Sequence, residues 1–243
     1  MSELAEEMTR AAREAVTCAI RPKDAATLIL IDRTAAAPKV LLGKRHHGHK
    51  FMPGKFVFPG GRVERHDSQV PVVGGLDPRV EQKLMARVQR PSRDRARAMA
   101  VAAIREVFEE TGLLLGRKVD DTQRKPTRAD DPFAAAGVRP DLSELHLIAR
   151  AITPPGRPRR FDTRFFAADA QLIVHRVDGV IHPEAELVEL TWLPIAQARE
   201  LDMPPITKRV LTELEKRAAA GFGHELPVPF YRALHRKFVL EML

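Results

Sequence analysis

Three glutamates lie within five positions of one another in the stretch REVFEETG, where Glu106, Glu109 and Glu110 follow Arg105. On an α-helix of about 100° per residue the three carboxylates share one side, and the apolar residues take the other. Like charges at these spacings repel, and the C-terminal end of a helix also disfavours anions. A hard divalent cation, which prefers oxygen ligands, would offset both penalties. The octapeptide alone leaves two interpretations open, a metal site and an ordinary solvated acidic face.

A second group of candidate residues is basic and precedes a glycine turn. The segment 41–61, LLGKRHHGHKFMPGKFVFPGG, brings Lys44, Arg45, Lys50 and Lys55 close together in the sequence. Cationic side chains grouped in this way suit the oxygens of a phosphorylated ligand. A solvated basic loop beside a strand would explain the same residues without any ligand.

The glycine turn and the acidic helix together resemble the Nudix box, whose pattern is G, five residues, E, seven residues, REU, one residue, EE, one residue, GU, with U a bulky aliphatic. The matching positions are Gly61, Arg105, Glu106, Val107, Glu109, Glu110, Gly112 and Leu113. The resemblance implies a hydrolase that uses Mg²⁺ or Mn²⁺ to cleave a nucleoside diphosphate linked to another group.

The resemblance also implies a role for each residue of the box. Glu109 and Glu110 would be metal ligands, and the carbonyl oxygen of Gly60 would complete the metal shell. Glu106 would be either a further ligand or the base that acts on the attacking water. Arg105 would orient the carboxylates by ion pairing.

The first half of the box departs from the family pattern. Arg105 follows Gly61 by 44 positions, far more than the pattern allows, so the segment 62–97 contains an insertion. Counting six positions forward from Gly61 reaches Asp67, one methylene shorter than the expected Glu, whereas counting eight back from Arg105 reaches Arg97, which is not an acid. The insertion carries a helical stripe of Val80, Leu84 and Val88, for which a lid near the site and a dimer contact are equal alternatives.

The basic segment resembles the coenzyme A signature LLTxRSxxxRxxxGxxxFPGG of the CoA diphosphatase branch, with Lys50 in place of an arginine. ITPPGRPRRFDTRFF (152–166) is similar to a segment of the long-insert acyl-CoA diphosphatases. Together they imply CoA or an acyl-CoA as substrate, cleaved to 3′,5′-ADP and a 4′-phosphopantetheine. The substrate-binding residues implied are Lys44, Arg45, Lys50, Phe58, Gly61 and Arg160.

Several alternatives stay open beside this interpretation. Arg160 is equally well explained as the ion-pair partner of Asp162. The substrate could be another nucleoside diphosphate derivative, such as ADP-ribose or NADH. A Nudix-fold sensor that binds a nucleotide without cleaving it is an alternative of another class, although such domains typically lose the box glutamates. Glu186, in a segment like the late Nudix loop that often supplies a further ligand or base, is the last catalytic candidate.

Composition limits the remaining classes of function. The chain has 243 residues and a net charge of +8, which favours anionic partners. We expect no nucleic-acid partner because no helix-turn-helix, zinc-finger or aromatic RNA-binding pattern occurs. Its single cysteine, Cys18, suits a reducing compartment, and neither a signal peptide nor a membrane-spanning run is evident. We therefore expect a cytoplasmic protein without a membrane partner, and a homodimer is one option.

Hydrophobic periodicity and capping residues predict the elements that would position these side chains. Strands are predicted at 25–32, 39–45, 56–58, 145–152, 161–168, 171–177 and 188–193, with a tight turn at 59–61. Helices are predicted at 2–19, from Asp77 to Pro91, from Ser92 to Gly112, and at 204–220 and 229–243. This order is α/β or α+β, and the resemblance implies an α/β/α sandwich with a mixed sheet. We expect one domain over 1–243, with the insertion 62–97 and a C-terminal helical extension 204–243.

Overall fold

A mixed β-sheet of nine strands forms the centre of the fold. The computed structural model describes residues 20–48, 52–120, 131–234 and 237–243. The strands are β1 (Lys23–Asp32), β2 (Lys39–Arg45), β3 (Phe56–Val57), β4 (Gly60–Arg62), β5 (Leu113–Leu115), β6 (Arg117–Lys118), β7 (Val138–Arg139), β8 (His146–Ile152), β9 (Phe161–Asp169), β10 (Ile173–Arg176), β11 (Leu187–Pro194), β12 (Pro229–Leu234) and β13 (Lys237–Met242). The helices are α1 (Pro78–Met85), α2 (Arg93–Thr111), α3 (Pro132–Ala135), α4 (Ile195–Ala198) and α5 (Pro205–Ala219).

The sheet has the strand order β11-β2-β1-β9-β8-β12-β13, with β3 paired to β2 and β4 paired to β1. The pairs β1–β9 and β8–β12 are parallel, and the other pairs in this sheet are antiparallel. Strands β5 and β10 form a separate two-stranded ribbon, as do β6 and β7. The mixed sheet predicted from the sequence is therefore confirmed.

Both faces of the sheet are covered, which explains why β1 is a continuous apolar run. Ala26, Leu28 and Leu30 enter one core cluster, whereas Ile29 and Ile31 enter the other. The first cluster contains the apolar side of α2, and the second contains residues of α4 and α5. Because successive side chains of a strand point to opposite faces, burial on both faces requires an apolar residue at nearly every position. The sheet thus lies between two helical layers, as the sandwich prediction requires.

Helix α2 has the boundaries that its capping residues predict. The Ser92 hydroxyl oxygen accepts a hydrogen bond from the N–H of Arg95, as an N-cap does. Gly112 adopts the left-handed conformation with φ 75° and ends the helix. The buried side of the helix packs against β1 and β4. This packing brings the acidic C-terminal half of α2 next to the glycine segment before β4.

The inserted segment packs into the core. Residues Arg65–Ser68 form a 3₁₀ turn, and α1 begins after Asp77, whose carboxylate accepts from the N–H of Arg79. The prediction that this helix extends to Pro91 is wrong, since α1 ends at Met85 and Val88 lies outside it. Val80 and Leu84 are 2% exposed and join the core cluster of α2. Burial of this stripe gives the insertion a packing role, and the lid and dimer-contact alternatives stay predictions.

Two further predictions about local structure are wrong. The helix predicted at 229–243 is wrong, because Pro229–Leu234 and Lys237–Met242 form the paired strands β12 and β13, and β12 continues the sheet beside β8. Phe230 and Tyr231 are adjacent and both buried, as expected of a strand covered on both faces, because successive side chains point to opposite faces. The helical extension is therefore α5 followed by a hairpin. Pro59-Gly60-Gly61, predicted as a tight turn, leads directly into β4, which pairs with β1 through Ala26 and Thr27.

Two further expectations concern the N-terminal helix and membrane-spanning segments. The helix predicted at 2–19 lies outside the described residues. In the part of the chain that is described, none of the helices combines the length and apolar character needed to cross a membrane.

Candidate active site

Gly60 and Gly61 bring the backbone of β4 against α2 at the position of the glutamates. A Cβ atom on Gly61 would lie 2.4 Å from the carboxyl carbon of Glu106, so any larger residue would displace this carboxylate from its position. A Cβ atom on Gly60 would lie 2.5 Å from the hydroxyl of Thr27 in β1. The N–H of Gly60 donates a hydrogen bond to Glu110 at 3.1 Å. The two glycines therefore fix the distance between the strand and the acidic face of the helix.

Arg105 is the buried centre of an ion-pair network behind this face. Its guanidinium donates to both carboxylate oxygens of Asp67, at 2.8 and 3.1 Å, and the Asp67 side chain is fully buried. The same group donates to Glu106 at 2.8 Å and to Glu109 at 2.9 Å. A further bond goes to the carbonyl oxygen of Arg62 at the end of β4. Arg105 thus connects the insertion, β4 and two of the glutamates, which is the geometry expected of a residue that orients carboxylates.

The three glutamates differ in exposure and in charge state. The Glu109 side chain is 49% exposed, whereas that of Glu106 is 14% exposed and Glu110 is buried. Burial raises the pKa of the Glu106 carboxyl to about 7, and Glu109 adds to this rise against the opposing effect of Arg105. Burial also raises the pKa of Glu110 well above its ordinary value, and the neighbouring charge of Glu186 adds to it. The raised pKa values mean that the surrounding protein groups do not fully compensate the charged form of these two carboxyls.

The donors at this position fit a hard divalent cation in type and charge. Glu106, Glu109 and Glu110 offer carboxylate oxygens, and the raised pKa values of two of them mean that a cation would relieve an unfavourable charge. Among the described residues no three acidic or histidine side chains already converge in a metal-binding arrangement. Mg²⁺ commonly uses only one or two carboxylates and completes its octahedron with water and substrate phosphate. The residues present thus suit such an ion without a preassembled cage of protein ligands.

Glu186 lies at the same site although it is 76 positions from Glu110 in the sequence. Its carboxylate forms an ion pair of 2.8 Å with Arg45, at the end of β2. The backbone carbonyl of Glu186 accepts from the N–H of His46, which holds this loop beside β2. Burial raises the pKa of the Glu110 carboxyl, and the charge of Glu186 adds to this rise. The structure therefore brings Arg45 and Glu186 together with the acidic helix, as the sequence predicts for candidate site residues.

The other residues predicted to bind substrate have different surroundings. Lys44 projects near Glu189, at 3.9 Å, and its ammonium lies 5.7 Å from the centre of the Phe56 ring. Phe58 is 5% exposed and belongs to the core cluster that contains residues of α5. Its ring therefore packs in the core between the sheet and that helix. Lys50 lies outside the described residues.

Arg160 is held by backbone groups. Its guanidinium donates to the carbonyl oxygens of Thr153, at 3.0 Å, and Ile20, at 2.7 Å. The alternative of an ion pair between Arg160 and Asp162 is wrong, because the partners of Asp162 are Arg150 and Arg164. These bonds tie the start of β9 to the chain before β1. A contact of Arg160 with substrate stays a prediction.

Arg97 has a structural role in this region that the sequence does not predict. Its guanidinium donates to the carbonyl oxygens of Ser68, the last residue of the 3₁₀ turn that carries Asp67, and of Val70 beyond it. Arg97 thereby ties the turn to α2 two helical turns before Arg105. The count of six positions from Gly61 did identify Asp67, but no local pattern shows that it packs against Arg105.

A cavity of about 300 Å³ lies at the opposite end of β1 from Gly60. Its lining includes Ile31, Arg33, His146 and Phe222, and none of the glutamates of α2. The His146 ring stacks on that of His224 at 4.4 Å, and burial lowers the pKa of His146 to about 4. The cavity is therefore separate from the acidic site, and its histidine is neutral near pH 7.

Comparisons with known proteins agree with this arrangement. No protein-family model matches the chain. A Caenorhabditis elegans protein named as a nudix hydrolase, number 7, is 26% identical over 212 residues, which cover 80% of this chain and 61% of the relative. The crystal structure of a NUDIX hydrolase from Alicyclobacillus acidocaldarius has a TM-score of 0.59 and 28% sequence identity, covering 80% of this chain and 91% of that one.

Proposed function

We propose that the chain, which is similar to Nudix hydrolases in sequence and in fold, hydrolyses the diphosphate linkage of a nucleoside diphosphate derivative with Mg²⁺ or Mn²⁺. The chain spans about three fifths of the length of the curated relative it matches, so the activity is inferred from the site. The observation that carries the proposal is the pairing of Glu106 and Glu110, both with raised pKa values, with the glycine segment of β4. Such an uncompensated acidic pair is the environment that a catalytic cation requires.

The residues of the chain have separable tasks in this reaction. Hydrolysis adds one water across the P–O–P bridge, so that each product keeps one phosphate monoester. A bound divalent cation would neutralise the charge that develops on the phosphate oxygens. Glu106, Glu109 and Glu110 would hold this ion, and Arg105 would hold the first two carboxylates in place through its own pair with Asp67. The proton of the attacking water would pass to Glu106 or to Glu186, the two bases that the sequence indicates.

A sensor without catalytic activity is the weaker candidate. Such a domain needs no charged metal-binding face, yet Glu106, Glu109 and Glu110 are all present. The buried pair of Arg105 and Asp67 is a costly arrangement, and it holds two of these glutamates in position. We therefore favour the enzyme.

We further propose that the substrate is CoA or an acyl-CoA. The support is the spacing of the basic segment, together with the position of Arg45 beside Glu186 and the acidic helix. Lys44 is next to Arg45, and its side chain is 33% exposed. A lysine and an arginine at the edge of the site suit the 3′-phosphate that distinguishes CoA from most dinucleotides.

The experiment compares CoA, an acyl-CoA, dephospho-CoA, NADH and ADP-ribose with Mg²⁺ and with Mn²⁺, with the products resolved by chromatography. We expect 3′,5′-ADP and a 4′-phosphopantetheine from CoA, and slower cleavage of dephospho-CoA, which lacks the 3′-phosphate. Lys44→Met should lower the ratio of the CoA cleavage rate to the dephospho-CoA cleavage rate. Lys39→Met, at the other end of β2, should leave this ratio unchanged. Cleavage of ADP-ribose with CoA untouched would refute the substrate proposal but keep the hydrolase proposal.

A further inference from the structure

Strand β13 forms the outer edge of the nine-stranded sheet. Six residue pairs join it to β12 without a register shift. Among the strands of the described residues, none pairs with its other edge. Its sequence, KFVLEM, has no proline, and the ladder has no bulge, so two of the common devices that protect an edge strand are missing. The backbone groups along this edge are thus arranged to accept another strand.

The side chains of the hairpin are unusually apolar for a surface. Six large hydrophobic residues of the described chain are exposed, and three of them lie on β12 and β13. Leu240, at 49%, and Met242, at 56%, share one face, whereas Leu234, at 40%, lies opposite Lys237 on the other face. Leu240 and Met242 are on the same side of β13 as Phe238, which stacks on Tyr231. An exposed apolar strip next to an open edge indicates a protein-binding surface.

The charged residues of β13, Lys237 and Glu241, indicate that a second copy of the same strand fits this edge. Lys237 is exposed, and among the described residues it forms no ion pair. Glu241 lies four positions later on the same side of β13 and pairs with Arg232 and Arg87 of its own chain, so Lys237 of a second copy would share this carboxylate. If two copies of β13 pair antiparallel with Val239 opposite Val239, Lys237 of each copy faces Glu241 of the other. The same register places Phe238 opposite Leu240. The strand is therefore complementary to itself in both charge and apolar contacts.

Neighbouring registers lack this complementarity. A shift that centres the pair on Leu240 places Glu241 opposite Val239 and Lys237 opposite Leu243. A shift that centres it on Phe238 places Lys237 opposite Val239. Only the register centred on Val239 pairs opposite charges, and it does so twice because the arrangement has two-fold symmetry.

We propose that the protein forms a homodimer in which two β13 strands pair antiparallel about Val239 and join the two sheets into one. Three strands, β12, β8 and β9, separate β13 from β1, against which α2 packs, so the inference is independent of the proposed activity. The contact is one strand wide, at the low end of interface size. Its stability should therefore depend on protein concentration.

A cysteine crosslink tests the register directly. In a Cys18→Ser background, which removes the only natural cysteine, Val239→Cys places two thiols opposite each other across the symmetry axis. Opposed Cβ atoms in an antiparallel pair are about 5 Å apart, close to disulfide geometry. Lys237→Cys is the matched control, because in this register the two thiols are about 14 Å apart along the strands. We expect mild oxidation to give a covalent dimer with Val239→Cys and a monomer with Lys237→Cys.

Sedimentation equilibrium supplies the second measurement. Lys237→Glu replaces both ion pairs by like charges, and we expect the dimerisation constant to fall roughly tenfold. Lys208→Glu makes the same charge change on the exposed surface of α5 and should leave the constant unchanged. A wild-type protein that stays monomeric at every concentration would overturn the proposal, as would equal crosslinking of the two cysteine variants.

Discussion

At the scale of single residues, the pair of Asp67 and Arg105 supports the whole acidic site. The Asp67 side chain is fully buried and accepts two hydrogen bonds from Arg105, whose other carboxylate partners are Glu106 and Glu109, the proposed metal ligands. Asp67→Asn keeps the shape but removes the charge, leaving a buried guanidinium poorly compensated. We expect the free energy of unfolding to fall by about 3 kcal/mol, measured by urea denaturation. The control Asp178→Asn breaks an exposed pair with Arg176 and should change stability much less; an equal loss in both variants would contradict the buried-pair interpretation.

Gly61 supports the site by leaving space. Gly61→Ala would place a methyl group 2.4 Å from the Glu106 carboxyl carbon, and the flexible end of that side chain would move away. We expect kcat/KM to fall roughly 100-fold through this misplacement, with little change in Tm. Gly75→Ala, where an added Cβ meets no atom within 4 Å, is the control and should keep full activity. A fully active Gly61→Ala protein would show that Glu106 does not need its observed position.

At the scale of elements, α1 stabilises the fold and lies far from the chemistry. Its Glu81 pairs with Arg93 at the start of α2, and Arg93 precedes Glu106 by about 20 Å along the helix axis. We expect Leu84→Ala to lower the free energy of unfolding by about 2 to 5 kcal/mol, with kcat and KM close to wild type. Val88→Ala, half-buried and outside α1, should cost less. A large change in KM with Leu84→Ala would instead support the lid alternative for the insertion.

Most elements could be predicted from the sequence because their residues satisfy local requirements. Ser92 and Gly112 carry the capping chemistry that bounds α2, and the apolar run of β1 matches a strand buried on both faces. The sequence predicts a helix where β12 and β13 form, because the apolar residues at 230, 233 and 234 also fit helical spacing. Its pairing with β8, a contact across the sequence, decides the structure.

The same division between local and distant information applies to the site. Helical geometry predicts that the three glutamates share one side of α2. Their spacing from Arg105 and Gly112 carries the resemblance to the Nudix box. Other features of the site depend on contacts between distant segments. These are the packing of Asp67 against Arg105, the bond from Arg97 to the 3₁₀ turn and the bonds from Arg160 to backbone carbonyls. Such contacts leave no periodic signal in one sequence.

At the scale of the whole molecule, the fold collects negative charge at one end of α2 in a chain of net charge +8. Since a cation binds the ionised carboxylates, protons must leave Glu106, whose pKa is about 7, and Glu110 when the metal binds. We expect the affinity for Mn²⁺ to fall as pH decreases through 7, by up to about tenfold per unit for each proton released. Titration followed by electron paramagnetic resonance would measure this, with Glu189→Gln as a surface control. An affinity independent of pH between about 6 and 8 would contradict the raised pKa values.

The central claim, that the glutamates of α2 perform metal-dependent cleavage of a diphosphate, is tested most directly with Glu109→Gln. This side chain is half exposed, so the substitution should leave Tm and the fold unchanged. With saturating Mg²⁺ and the best substrate of the panel, we predict that wild type releases two phosphate monoesters. The variant should be slower by roughly 100-fold or more, because one charged ligand of the cation is lost. A Glu109→Gln protein that turns over at the wild-type rate would contradict the account.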